Sequence, residues 1–184
     1  MKIKVGVMGS AAEVSSLANA AVVQQQGIAL GQAIAARQDL ILLTGATTGI
    51  VYLVGKTAHQ QGALHIGISP ASSEAEHIEA YRLPTDACDA LIYTGFGLKG
   101  RNVVLVRSCD IVLFISGGMG SLNEFTIAHD EGRVIGCLKG TGGVADAADY
   151  LLQNFSPKTK PQIIQLNDAG QLLDECLKRL AAQM

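Results

Sequence analysis

The run Ser116-Gly117-Gly118-Met119-Gly120-Ser121-Leu122-Asn123-Glu124 follows the apolar stretch Ile111-Val112-Leu113-Phe114-Ile115 and opens onto a helical pattern. A strand that ends in a glycine-rich turn and feeds a helix presents unpaired N–H groups at the helix N-terminus, which is an anion site. Glycines at 117, 118 and 120 let the backbone approach a ligand, Ser121 supplies a hydroxyl, and Glu124 projects from the predicted first helical turn. The expected chemistry is phosphate binding beside a carboxylate. Arg101, in Leu98-Lys99-Gly100-Arg101-Asn102, falls at the predicted start of the preceding helix, on the same edge of the sheet. A cation is unfavourable at a helix N-terminus, so an anionic ligand in front of Arg101 gives it a reason to be there. The plain alternatives are a solvated surface arginine, and for Glu124 an acidic residue that merely suits a first turn.

Other chemistries lack their residues. Gly9-Ser10 does not complete G-x-G-x-x-G, and Leu43 is followed by Thr44-Gly45 where a dinucleotide site carries an acidic residue for the ribose. G-x-x-x-x-G-K-[ST] is missing, with Gly55 and Lys56 falling inside a predicted helix. His59, His65, His77 and His129 show no metal-ligand spacing, so no essential metal ion is expected. Cys88, Cys109, Cys137 and Cys176 form no C-x-x-C and read as reduced, buried small hydrophobes.

These residues need a scaffold that brings loops to one edge. Apolar runs at 3–8, 40–43, 64–68, 91–93, 111–115, 134–138 and 162–166 are continuous rather than alternating, which implies strands covered on both faces. Helical patterns at 28–37, 50–61, 102–108, 122–131, 145–154 and 169–183 separate most of them. The expectation is a single-domain α/β fold spanning 1–184, a Rossmann-like doubly wound parallel sheet with helices on both faces. Loops after successive parallel strands emerge together, so Met8-Gly9-Ser10, Thr44-Gly45, Thr94–Gly97 and Ser116–Ser121 should line one crevice. A weak echo relates Thr44-Gly45-x-x-x-Gly49 with Ala58-His59-Gln60-Gln61-Gly62 to Ser116-Gly117-x-x-Gly120 with Ala128-His129-Asp130-Glu131-Gly132, through duplication or through shared turn and cap chemistry. Residues 69–82 read as an excursion, a flexible flap over the edge.

Composition bounds the partners. A net charge of −2, with 4% aromatic residues and no Trp, supplies neither a basic field nor stacking platforms for a nucleic acid polymer. Mean hydropathy is +0.29, yet no apolar run approaches the roughly 18 residues that span a bilayer. The apolar excess points to a two-sided sheet or a subunit interface. The sequence begins directly as a strand without a signal-peptide pattern, so a cytoplasmic, membrane-free protein is expected.

The Ser116–Glu124 run resembles the P-G-G-x-G-T-x-x-E motif of the Rossmann-like proteins labelled lysine decarboxylase-like, with Arg101 as the upstream arginine. The resemblance extends from Val5-Gly6-Val7-Met8-Gly9-Ser10 through Thr44-Gly45-x-x-x-Gly49 to about Gly143. Within that group, Arg101-Asn102, the run Asn123–Ala128 and Gly140-Thr141-Gly142-Gly143 look closest to the molybdenum-cofactor carrier proteins. The other branch comprises cytokinin-activating nucleoside 5′-monophosphate phosphoribohydrolases, whose functional Glu and Arg match Glu124 and Arg101. Ser116 stands for the motif Pro, Ser121 for the Thr and Asn102 for the Lys that follows the Arg, and Thr44–Ile50 replaces a triple-glycine loop. These departures weaken the case for hydrolysis and leave phosphate binding in place.

The resemblance implies a carrier or storage protein whose cargo is molybdenum cofactor, a pterin with a terminal phosphate. Gly9, Ser10, Thr44, Gly45, Gly49, Arg101, Gly117, Gly118, Met119, Gly120, Ser121 and Glu124 would form the binding set. If the protein is instead a hydrolase, Arg101 and Glu124 become its catalytic residues; a third reading is a nucleotide-sensing module without turnover. A homo-oligomer, dimer or tetramer, and molybdoenzymes as cargo recipients are the implied partners.

Overall fold

The continuous apolar runs become strands of one sheet in a computed structural model that describes residues 2–155 and 163–183. The strands are β1 (Ile3–Gly9), β2 (Leu40–Thr44), β3 (His65–Ser69), β4 (Ala90–Tyr93), β5 (Ile111–Ile115), β6 (Val134–Leu138) and β7 (Ile163–Leu166). They lie in the order β4-β3-β2-β1-β5-β6-β7 with every neighbouring pair parallel. The helices are α1 (Ala20–Ala35), α2 (Gly49–Gln60), α3 (Gly97–Arg107), α4 (Met119–Asp130), α5 (Gly143–Phe155) and α6 (Ala169–Ala181). Alternate residues of each central strand point to opposite faces, so each face needs its own cover. Val5, Val7, Ile111 and Leu113 pack under α1, α2 and α6, while Met8, Val112 and Phe114 pack under α3, α4 and α5. This is the expected doubly wound, Rossmann-like α/β fold.

The chain runs outward from β1 to β4 and then returns to place β5 on the other side of β1. Such a reversal leaves the helices after β1 and β5 on opposite faces, and a crevice opens between the strand ends. Register makes those ends level: Gly9 pairs with Ile115, and Val7 with Thr44. The two echoing units, β2–α2 and β5–α4, flank β1 from its two sides and cover opposite faces.

Three helices begin three or more residues earlier than their sequence patterns suggest, and each of the added stretches holds or adjoins a glycine. α1 starts at Ala20 rather than Ile28, because Gly27 is a packing position rather than a break: an added Cβ there would lie 2.5 Å from Ile50 Cδ1 on α2. α3 starts at Gly97 rather than Asn102, and α4 at Met119 rather than Leu122. Arg101 is therefore the fifth residue of α3 and Glu124 the sixth of α4, each in its helix's second turn. The excursion 69–82 contains a wide helical turn, Glu76–Ala80. Gln162, expected to open the last strand, lies outside the described residues. Among the described residues, no helix is long and apolar enough to cross a membrane.

Candidate functional site

The glycine loop after β5 is built on two left-handed residues, Ser116 at φ 56° and Gly117 at φ 110°. A side chain at Gly117 would be strained in that conformation and would lie 2.6 Å from Ser121 Cβ. The loop after β6 holds the turn in place. Ser116 N donates to Thr141 Oγ1 at 2.8 Å, Thr141 Oγ1 donates to Leu138 O at 2.6 Å, and Val144 N and Ala145 N donate to Gly117 O and Ser116 O. Proline at position 116 would have no N–H for Thr141, and its ring fixes φ near −65°. The serine that replaces the motif proline thus gives this turn a shape of its own.

Helix α4 leaves that turn from Gly118, with no side-chain cap on its first N–H groups. By contrast α6, away from the crevice, is capped by Asp168, which accepts from Gln171 N at 2.8 Å. Around α4 the space is open: a Cβ on Gly118 would meet nothing within 4 Å, and one on Gly120 only Lys99 Nζ, at 3.6 Å. Uncapped N–H groups facing an open cleft are the geometry of an anion site.

Hydroxyls expected to touch ligand prove to be engaged elsewhere. Ser121 is buried and donates to Gly9 O at 3.0 Å, tying α4 to the end of β1. Thr44 is 2% exposed; its Oγ1 lies 2.8 Å from His65 Nε2 and accepts from Ala46 N at 3.3 Å. Ala87 O bonds His65 Nδ1 and can only accept, so Nδ1 carries the ring proton and Thr44 donates to Nε2. Burial lowers the His65 pKa to about 4, which keeps the ring neutral. β3 repeats the device, with Ser69 Oγ 2.8 Å from His77 Nδ1 and accepting from Ala71 N at 3.1 Å. Thr44 therefore shapes the loop, including the left-handed Ala46 at φ 48°, rather than facing the crevice. Ser10 Oγ accepts from Ala12 N at 3.2 Å and lines the cleft.

Arg101 is 5% exposed and its guanidinium lies against Gly45, where an added Cβ would sit 2.6 Å from Cζ. Its buried Nε has no hydrogen-bond partner among the described residues. Burial lowers the Arg101 pKa, a shift opposed by the charge of Glu124. Glu124 is 7% exposed; burial raises its pKa to about 7 against the pull of Arg101 and Lys99. The Asn102 amide stands between Asn123 and Glu124. In one orientation its nitrogen donates to Asn123 Oδ1 at 2.8 Å; turned over, it donates to Glu124 Oε1 at 3.2 Å and Leu98 O at 3.0 Å. In the first orientation the Asn102 oxygen would face two acceptors, Glu124 Oε1 and Leu98 O, so the turned-over amide suits these two neighbours better.

Together these elements enclose a cleft of about 230 Å³ at the β1/β5 switch point. Of the expected binding set, Gly9, Ser10, Gly45, Arg101, Gly118, Gly120, Ser121 and Glu124 line it, whereas Thr44, Gly49, Gly117 and Met119 do not. Gly49 opens α2 and Gly117 shapes the turn, while Met119 points outward at 77% exposure. Lys99, Asn102 and Thr47 also line the cleft, though the sequence did not mark them as ligand contacts. Lys99 was hidden by the misplaced start of α3; Thr141, the buttress, offered only its place between glycines. Thr94–Gly97, expected to line the crevice, does not: Thr94 Oγ1 donates to Ser69 O at 2.7 Å and Gly95 N to Ala71 O at 2.8 Å, and of this region only the exposed Leu98 and its successors reach the cleft.

Cys109, Cys137 and Cys176 are buried, and Cys88 is half-buried. Burial pushes the Cys88, Cys109 and Cys176 thiols up to about 12 and raises that of Cys137 as well. Among the described residues, no group of three or more His, Cys, Asp or Glu is placed to hold a metal ion.

Similarity to other proteins follows the same lines. An uncharacterized protein from Archaeoglobus fulgidus is 31% identical over 104 residues, which is 56% of this chain and 63% of that relative's length. The match thus spans less than two thirds of the curated relative. The structural-genomics target TM1055 superimposes with a TM-score of 0.79 at 22% identity, covering 97% of this chain and 99% of that one. The molybdenum cofactor carrier protein of Chlamydomonas reinhardtii gives 0.74 at 24% identity, covering 98% and 99%. The molybdenum cofactor binding protein of Rippkaea orientalis gives 0.75 at 25%, covering 98% of each chain. The SLOG cluster4 family model matches residues 2–173, nearly the whole chain, and the protein belongs to that family.

Proposed function

We propose that this protein binds a phosphorylated small molecule in the β1/β5 cleft and carries or stores it unchanged, with molybdenum cofactor as the cargo. The observation that carries the reading is Arg101, a buried cation with an unpartnered Nε, in a cleft that also receives the uncapped start of α4. A buried cation with a donor left unsatisfied is costly, and an anionic ligand that accepts from it offsets that cost. Gly118, Gly120 and the α4 N–H groups would take the phosphate, with Gly9, Ser10 and Gly45 against the body of the ligand. The likeness in fold to proteins described as molybdenum cofactor carrier and binding proteins supports the choice of cargo. No low-pKa thiolate stands by to ligate molybdenum, which suits a cargo that must be released. A homo-oligomer in the cytoplasm that delivers to molybdoenzymes completes the proposal.

Hydrolysis of a nucleoside monophosphate's N-glycosidic bond is the second reading, favoured by the meeting of Arg101 and Glu124 in one cleft. It asks Glu124 to be a free carboxylate beside an oxocarbenium-like centre. A pKa near 7 and an Asn102 amide in the place of the family's lysine work against that role. Incubation with adenosine monophosphate is therefore expected to release little or no adenine, followed by chromatography over hours. Rapid release that disappears in Glu124→Ala would make the enzyme reading primary.

A further inference from the structure

Asn102 leaves the cleft without the lysine that follows the arginine in the hydrolase motif, yet a lysine ammonium is present from another position. Lys99 lies three residues earlier on α3, on the same helix face as Asn102, and lines the same cleft. Its Nζ hangs over the first turn of α4, 3.6 Å from where a Cβ on Gly120 would be. Lys99 is the third residue of α3, so its charge stands in the first turn of one helix and above the first turn of another. Both helix ends are electropositive, and a cation is disfavoured at each unless an anion lies between. Neighbouring side chains offer only a partial answer: the charge of Glu124 acts on Lys99 from a distance, but among the described residues Lys99 forms no hydrogen bond or ion pair. The buried Arg101, whose Nε has no hydrogen-bond partner, lines the same cleft.

We propose that Lys99 is the second cation of this site and sets its preference for a terminal phosphomonoester, which carries two charges, over a singly charged phosphodiester. The proposal rests on the reading that the cleft takes a phosphorylated ligand. Arg101 is the deep, rigid contact, held against Gly45; Lys99 is the mobile contact at the rim, closing on the outer phosphate oxygens once the N–H groups of α4 hold the inner ones. A monoester presents enough free oxygens for both, whereas a diester spends one on its second ester bond. Because Lys99 is exposed, its substitution removes the charge without opening a cavity in the fold.

The test uses methyl phosphate, a dianion at about pH 8.5, and dimethyl phosphate, a monoanion, as probes that need no base or pterin contact. Dissociation constants follow from chemical-shift titrations of wild type, Lys99→Ala and Lys99→Arg. Wild type is expected to favour the monoester by about tenfold; Lys99→Ala should lose most of that ratio and Lys99→Arg keep most of it. An unchanged ratio in Lys99→Ala overturns the assignment of Lys99 while leaving the phosphate site standing. Failure of the wild type to bind either probe at high millimolar concentration removes the phosphate site itself and this proposal with it.

Discussion

Gly45→Ala is expected to weaken binding of molybdenum cofactor by about a hundredfold, roughly as much as removing the Arg101 side chain, because it deletes a charge-assisted contact in a buried site. The Arg101 guanidinium occupies the space over the Gly45 Cα, so a methyl group there overlaps Nη1 and comes within 2.6 Å of Cζ. The loop has little freedom to yield. Thr44 is bonded to His65 and to Ala46 N, and Thr48 Oγ1 donates to Ala11 O at 2.7 Å. The arginine must therefore swing away, and the cleft loses its deep cation while both loops keep their anchors. Anaerobic titration of Gly45→Ala, Arg101→Ala and the double variant checks this. The two losses should overlap rather than add, since both remove one interaction. Wild-type affinity in Gly45→Ala would show that Arg101 does not hold the ligand.

Glu124→Gln should stabilise the unliganded protein above neutral pH. The carboxyl is buried without a close ion pair, and burial lifts its pKa from 4.5 to about 7. Between those values the folded state holds a proton that the unfolded state has released, so stability falls as pH rises through the window. Above about pH 7 the folded protein carries a buried carboxylate at a cost on the order of 3 kcal/mol. A neutral glutamine escapes that cost. Denaturant unfolding near pH 8 should show the variant more stable by a few kcal/mol, with the gap closing near pH 4, where both forms are uncharged. A gap of the same size at both pH values would mean that packing rather than ionisation is responsible.

The sheet was legible because strands buried on both faces must be apolar throughout: Ile111–Ile115 and Val134–Leu138 read as strands and are buried at every position. The glycine turn was legible for a similar local reason, since three glycines between a strand and a helical pattern leave few alternatives. Long-range pairings were hidden. Thr44 reads as a ligand hydroxyl until His65, 21 residues later, is seen to accept its hydrogen bond. Thr141 reads as loop filler until Ser116 N is found donating to it across 25 residues. Helix starts misled for a third reason, because Gly97 and Gly100 weaken intrinsic helicity while tertiary contacts supply what they lack. That shift of five residues moved the helix-terminal cation from Arg101 to Lys99, and with it the argument about unfavourable charge. Arg101 keeps its place for a different reason, burial with its Nε left without a hydrogen-bond partner.

The central claim is that the cleft holds a phosphorylated pterin cargo and leaves it intact. Anaerobic purification followed by absorbance, molybdenum analysis and mass spectrometry of the released small molecule tests it most directly. A pterin bearing a terminal phosphate, together with molybdenum, is expected on the wild type and should be lost from Arg101→Ala. Recovery of a nucleotide, or of a free base with ribose 5-phosphate, bound in an Arg101-dependent way would contradict it.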